Sequence, residues 1–160
     1  MFQSIKRSST LDEDYLRQMT LNTYRFYRNK FHSKYGELII CNDSKNYWRK
    51  DIFPYYKHNR KAKLKSSGLD WDSIFNSMTK IREEVKNFFP YKNITIDRAE
   101  ADDIISVICK HHHNEKILII SSDKDFQQLQ RYNNVEQYSP VKKQFIVCED
   151  PETFLMDHII

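Results

Sequence analysis

Glycine is nearly absent from this chain: two residues in 160, with only four prolines beside them. So little of either excludes a flexible linker, a collagen-like repeat or a low-complexity tract. Cysteine is sparse as well. Cys41, Cys109 and Cys148 are odd in number, far apart and without a CxxC pair, which argues against a zinc knuckle and a disulfide framework. Reduced thiols in a cytoplasmic compartment are the expectation. No apolar run approaches the length of about 18 residues that a membrane-crossing helix needs. The opening "MFQSIKRSST" lacks the apolar stretch of a signal peptide.

What is present suits a folded domain. With 39% apolar and 30% charged residues, the 160-residue chain is long enough for one domain with a hydrophobic core, spanning 1–160. The net charge of +4 hides an asymmetry. From Lys45 to Lys65 there are eight Lys or Arg against one acid, Asp51. From Asp97 to Asp125 there are seven acids.

Apolar spacing predicts an alternation of helices and strands. "TLDE", residues 10–13, has the form of a capping box, with Thr10 as cap. A helix follows to about Ser33, turning Tyr15, Met19 and Phe26 to one face, and Gly36 ends it. "ELIIC", 37–41, reads as a buried strand. Residues 69–89 form a second helix with Ile74, Met78, Ile81 and Val85 inward, stopped by Pro90. "NITID", 93–97, is a short strand. Residues 99–113 form a third helix with Ile104, Ile105, Val107 and Ile108 inward. "KILIIS", 116–121, is the strongest strand. A short helix spans about 124–131, two strands around a turn span 135–147, and Asp150-Pro151 opens a last helix. This order implies an α/β fold, a parallel-sheet core flanked by helices. Ligands in such folds gather at the carboxyl ends of the strands.

Acids collect at those ends. Asp43, Asp97 and Asp123 directly follow or end expected strands, and Glu100, Asp102 and Asp103 open the third helix. Acids in a first helical turn are favoured by the helix dipole, by roughly 0.3–1 kcal/mol each, and Asp123 has an ordinary role as a helix cap. Either motif alone is explained that way. Together, Asp43, Glu100, Asp102, Asp103, Asp123 and Asp125 would crowd one sheet edge and repel one another. A hard divalent cation, Mg²⁺ or Mn²⁺, resolves that repulsion, since both prefer carboxylate and water oxygens. Two such ions about 3.5–4 Å apart make a site for cleaving phosphodiesters.

The basic stretch interleaves its cations with Tyr47, Trp48, Phe53, Tyr55 and Tyr56. Cations neutralise phosphates, and aromatic rings stack on unpaired bases. Residues 44–67 are therefore expected to contact nucleic acid, through Arg49, Lys50, Tyr56, Lys57, Arg60, Lys61 and Lys63. The bland alternative is a solvated helix with some aromatics in the core. His111, His112 and His113 point in different directions and make no metal site by themselves. Ser121-Ser122 lacks a nucleophile elbow and a partner histidine, so a hydrolase triad is rejected.

Four segments in this order, "IICND", "YWRKDIFPYYKHNRKAK", "EADD" and "ILIISSDKDFQQL", resemble the flap endonuclease/5′-3′ exonuclease superfamily, in particular its branch of T-even bacteriophage ribonucleases H. The likeness runs from about residue 11 to 160. It implies a PIN-like, resolvase-like nuclease domain. It also implies two Mg²⁺ or Mn²⁺ ions, with Asp43, the acids of "EADD" and Asp123 on the first and Asp125 toward the second. Residues 44–67 would be the arch that meets the scissile strand. The implied work is removal of RNA primers and 5′ flaps in DNA replication. The implied partners are flapped DNA, RNA–DNA hybrids and other replication proteins such as single-stranded-DNA-binding protein, with no membrane. Family members also begin with an Asp-bearing strand and continue into a Gly-Asp…Asp segment and a helix–hairpin–helix. Neither lies within these 160 residues, so the expectation is a truncated nuclease with impaired activity. Two other readings stay open. One is a non-catalytic nucleic-acid-binding remnant or one part of a split nuclease. The other, a DxD phosphatase built on "DKD", is weaker, because that motif sits on the first strand of its fold.

Overall fold

The computed structural model describes residues 12–57 and 67–158, the side chains of 155–158 excepted. The elements, in chain order, are α1 (Glu13–Tyr35), β1 (Ile39–Asn42), a single turn α2 (Arg49–Ile52), α3 (Trp71–Phe88), β2 (Lys92–Thr95), α4 (Ala101–His111), β3 (Ile117–Ile120), a 3-10 helix (Lys124–Arg131), β4 (Val135–Ser139), β5 (Gln144–Ile146) and α5 (Pro151–His158). β1 and β2 form one sheet; β3, β4 and β5 form another in that order. β3 and β4 run parallel, with Ile117 opposite Val135 and Ile120 opposite Tyr138. β4 and β5 form the expected antiparallel hairpin. The α/β alternation is as the sequence implies. Among the described residues its strands fall into two small sheets rather than one continuous sheet. No described helix is long and apolar enough to cross a membrane.

The residues gather into two compact units, each with its own apolar core. In the first, Leu16 of α1 meets Ile74, Ile81 and Val85 of α3, with Tyr24, Met78 and Tyr91 packed around them. Thr20 and Ser77 are buried, small residues that let the two helices lie close. Their solvent side is closed by charge. Arg17 donates to both carboxylate oxygens of Glu84, at 2.7 and 2.9 Å, and to Glu13 at 2.9 Å, while Lys80 reaches Glu13 from α3.

In the second unit Ile119, Val135, Phe126, Leu129 and Cys109 form the core. The end of α1 is fastened to β4 here: Tyr35 Oη and Lys34 Nζ donate to Glu136 at 2.5 and 2.9 Å. The bond from Tyr35, then that from Lys34, holds the Glu136 carboxyl below the ordinary glutamate range. A lowered carboxyl pKa stabilises at neutral pH, and that contribution is lost as pH falls through the lowered value.

Two local expectations differ from the structure; a third, the cap at Thr10, lies outside the described residues. α1 starts at Glu13, with Asp12 accepting from the backbone of Asp14 and Leu16. Glu13 spends its carboxylate on Arg17 and Lys80. The inward stripe of α1 is Leu16, Thr20 and Tyr24, one position along from Tyr15 and Met19, so Phe26 is 55% exposed. On α4, Cys109 is fully buried and Val107 is 57% exposed. Ile104, Ile105, Ile108 and Cys109 form the apolar stripe, and Val107 falls about 60° beyond it. Gly36, at φ +77°, takes the left-handed conformation that terminates α1 as expected.

Truncating Ile81 to Ala is expected to cost about 2–5 kcal/mol, read by urea denaturation, while Val147→Ala at the surface stays within about 0.5 kcal/mol. Burial pushes the Cys41 and Cys109 thiols up to about 11. Both are therefore expected to resist alkylation near neutral pH and to react faster as pH rises toward that value. Rapid labelling of Cys41 or Cys109, located by peptide mapping, in the folded protein at neutral pH would contradict it.

Candidate functional site

All six acids singled out in the sequence fall in the second compact unit. They form two groups. The first is built where β1 ends and α4 begins. The Ser44 backbone N–H donates to the Ala99 carbonyl at 2.9 Å, and the Arg98 N–H reaches Ser44 Oγ at 3.3 Å. Tyr47 and Arg98 add an isolated parallel bridge. Arg98 takes φ +63°, a left-handed conformation that costs a non-glycine residue on the order of 1 kcal/mol. Through these contacts Asp43 Oδ1 accepts the Ala101 backbone N–H at 2.7 Å, across 58 residues of sequence.

Asp43 thereby joins Glu100, Asp102 and Asp103 at the amino end of α4. Glu100 is the N-cap residue, and its own N–H donates to Asp103 Oδ2 at 2.9 Å. Exposure differs sharply within the group. Asp43 and Asp102 are exposed, Asp103 is half-buried, and Glu100 retains only 2% of its surface. Burying a glutamate is costly without donors or positive charge nearby. Helix capping accounts for Glu100 and Asp103, whose side chains form a reciprocal capping box at the start of α4, and for part of Asp43. It does not explain why the carboxylate that follows β1 is carried to a helix end already rich in acids.

The second group is the loop after β3. Asp123 caps the 3-10 helix, its Oδ1 accepting the Asp125 N–H at 3.0 Å, and both residues are exposed. The loop is held from behind by residues that the sequence patterns left unnoticed. Gln137, on the central strand β4 and 1% exposed, donates its Nε2 to the carbonyls of Ser121 at 3.0 Å and Asp123 at 2.7 Å. Ser122 Oγ pairs with buried Ser139 Oγ at 2.8 Å and accepts the Val141 N–H at 3.2 Å. A glutamine and a serine alternating with apolar residues on a strand between two neighbours were the available signal. Asp97 is exposed in the turn before α4.

Among the described residues no three His, Cys, Asp or Glu side chains are grouped closely enough to hold an ion by themselves. The donor chemistry nonetheless suits a hard cation, since every candidate ligand is a carboxylate. Mg²⁺ in particular keeps several waters and is commonly held by one or two carboxylates plus substrate phosphate.

Of the basic segment, Arg49, Lys50, Tyr56 and Lys57 are described; Arg60, Lys61 and Lys63 lie outside the described residues. Arg49 and Lys50 occupy α2, and the Arg49 guanidinium sits 4.6 Å from the centre of the Trp48 ring. Lys57 lies over Tyr56 at 5.1 Å. Tyr55 is 71% exposed and touches Phe53 edge-on at 6.0 Å between centroids, also in solvent. These aromatics are therefore not core residues.

Comparison with known proteins agrees with this architecture. The 5′-3′ exonuclease N-terminal, resolvase-like domain family matches residues 8–155. Ribonuclease H of Enterobacteria phage T4 is 41% identical over 136 residues, covering 82% of this chain and 45% of that protein. Among solved structures, a phage T5 protein co-crystallised with metal ions superposes with TM-score 0.67 at 21% identity, over 89% of this chain and 53% of that one. The bacteriophage T5 flap endonuclease, in a pseudo-enzyme-product complex with DNA and metal ions, superposes with TM-score 0.65 at 22% identity, over 82% and 49%. The chain thus spans about half the length of these relatives.

Replacing Asp43 with Ala is expected to cost about 0.5–2 kcal/mol, as for a lost helix cap. Asp43→Asn keeps an acceptor oxygen and is expected to stay within about 0.5 kcal/mol of the parent. Equal losses in urea denaturation would remove the Asp43–Ala101 bond from this account.

Proposed function

Because the chain belongs to the family of 5′-3′ exonuclease N-terminal, resolvase-like domains, we propose that it is the metal-dependent core of a 5′ nuclease. It hydrolyses phosphodiesters near the 5′ end of flapped DNA or of RNA paired with DNA. The observation that carries this reading is the delivery of Asp43 from β1 to the acid-rich start of α4, at 2.7 Å from the Ala101 nitrogen. In this reading Asp43, Glu100, Asp102, Asp103 and Asp123 would hold one Mg²⁺ or Mn²⁺, and Asp125 would serve a second. Such ions, when bound, supply an activated water and neutralise charge on the phosphoryl oxygens.

The chain's own residues do the rest. Arg49, Lys50 and Lys57, with Arg60, Lys61 and Lys63, take the phosphates of the strand to be cut. Tyr56, and the exposed Phe53 and Tyr55, offer faces for unpaired bases. The described residues hold no ready-made group of three ligands, and slow turnover by this polypeptide alone is expected.

A second reading keeps the nucleic-acid contact and drops the turnover. It draws on the same lack of a three-ligand group among the described residues. The two are separated by incubating a labelled 5′-flap substrate and an RNA–DNA duplex with the protein in Mg²⁺ and in Mn²⁺. Cleavage is expected, with Asp102→Asn and Asp123→Asn each slower by on the order of 100-fold or more, in keeping with the several kcal/mol a metal supplies. Salt-sensitive binding without cleavage in either metal would favour the second reading. Equal cleavage by all three proteins would remove the assigned residues.

A further inference from the structure

We propose that Gln137 is a positioning residue, fixing the loop Ser121–Asp123 and so setting how tightly Asp123 holds a divalent cation; this rests on the nuclease reading above. Gln137 sits on β4, between β3 and β5, opposite Ile119 on one side and Ile146 on the other. From that rigid strand its Nε2 donates to two carbonyls of one loop, those of Ser121 and Asp123. Only the N–H₂ end of the amide can face two carbonyl oxygens, so the network fixes its orientation. The consequence is visible at the other end. Gln137 Oε1 is buried and has no hydrogen-bond partner among the described residues.

The amide leaves its own oxygen unpaired while its nitrogen serves two carbonyls, and an apolar residue in its place would take the donor from both. Departures of that kind cluster where function requires them. What the glutamine provides is a donor pair aimed at the backbone that carries Asp123. The residues around it serve the same loop: Ser139 holds Ser122, and Ser122 accepts from Val141. Ser121 Oγ in turn accepts the Asp123 N–H at 3.1 Å. The Asp123 carboxylate is thus presented by a backbone held at both its carbonyl and its amide.

The test uses Gln137→Leu, which removes both donors at similar volume, and Gln137→Asn, which retains the amide on a stem one carbon shorter. In metal-free protein, amide hydrogen exchange at Asp123 and Asp125 is expected to quicken by about tenfold or more in Gln137→Leu, while the amides of β3 and α4 keep parental protection. Apparent Mn²⁺ affinity, read by titration of a bound-metal signal, is expected to fall about 10- to 100-fold. Excess metal should recover the signal in Gln137→Leu, whereas Asp123→Asn should not recover. If Gln137→Leu does not fold, Gln137→Asn is read the same way and decides the matter. Unchanged loop exchange with a folded variant overturns the proposal. Faster loop exchange with an unchanged Mn²⁺ titration overturns the link to the metal. Should the parent protein bind no Mn²⁺ at all, the nuclease reading fails, and only the loop latch remains.

Discussion

The candidate site in the second unit is built on one hydrogen bond, from the Ala101 backbone N–H to Asp43 Oδ1. It closes a loop of 58 residues and brings the end of one strand to the start of a helix that follows another. A helix amino end carries unsatisfied N–H groups and partial positive charge, so one carboxylate there is favourable. Of the four acids in that place, Asp43, Glu100 and Asp103 take part in capping bonds. The dipole contributes roughly 0.3–1 kcal/mol per favourable charge. In the nuclease reading proposed above, a bound cation would offset the repulsion among these acids.

The segments on either side of that bond are tied down by hydrogen bonds. Arg98 is held in a left-handed conformation between Ser44 and the first turn of α4. Asp123 is presented by a loop tied to the central strand of its sheet through Gln137, Ser139 and Ser122. Outside the metal question, ordinary packing suffices: a core of Leu16, Ile74, Ile81 and Val85 in one unit, and of Cys109, Ile119, Phe126, Leu129 and Val135 in the other.

Most of the architecture was legible in the sequence for physical reasons. Four consecutive apolar residues between polar ends made β3 unmistakable, and Asp150-Pro151 marked the start of α5. Pro90 and Gly36 bounded their helices because each restricts or frees the backbone. Helix faces were read less well. Tyr15, Phe26 and Val107 are apolar enough to join a stripe, yet tertiary packing chose Leu16, Thr20 and Cys109, and a small polar residue can win a place at a close helix crossing. At the site, the acids were visible because charge beside apolar segments is costly and therefore informative. Gln137 left only a faint trace, a polar residue within an expected strand, and the two backbone carbonyls that it serves are recorded by no side-chain pattern.

The central claim is that the acids at the start of α4, Asp43 and the Asp123 loop serve a common cation. Paramagnetic broadening of backbone amide signals by substoichiometric Mn²⁺ tests it directly. The account predicts that the amides of Asp43, of Glu100 to Asp103 and of Asp123 to Asp125 broaden together, ahead of all others, and that Asp123→Asn weakens the effect at every one of them. Broadening confined to one group, or spread over acidic residues such as Glu13 and Glu115 with equal strength, would contradict it.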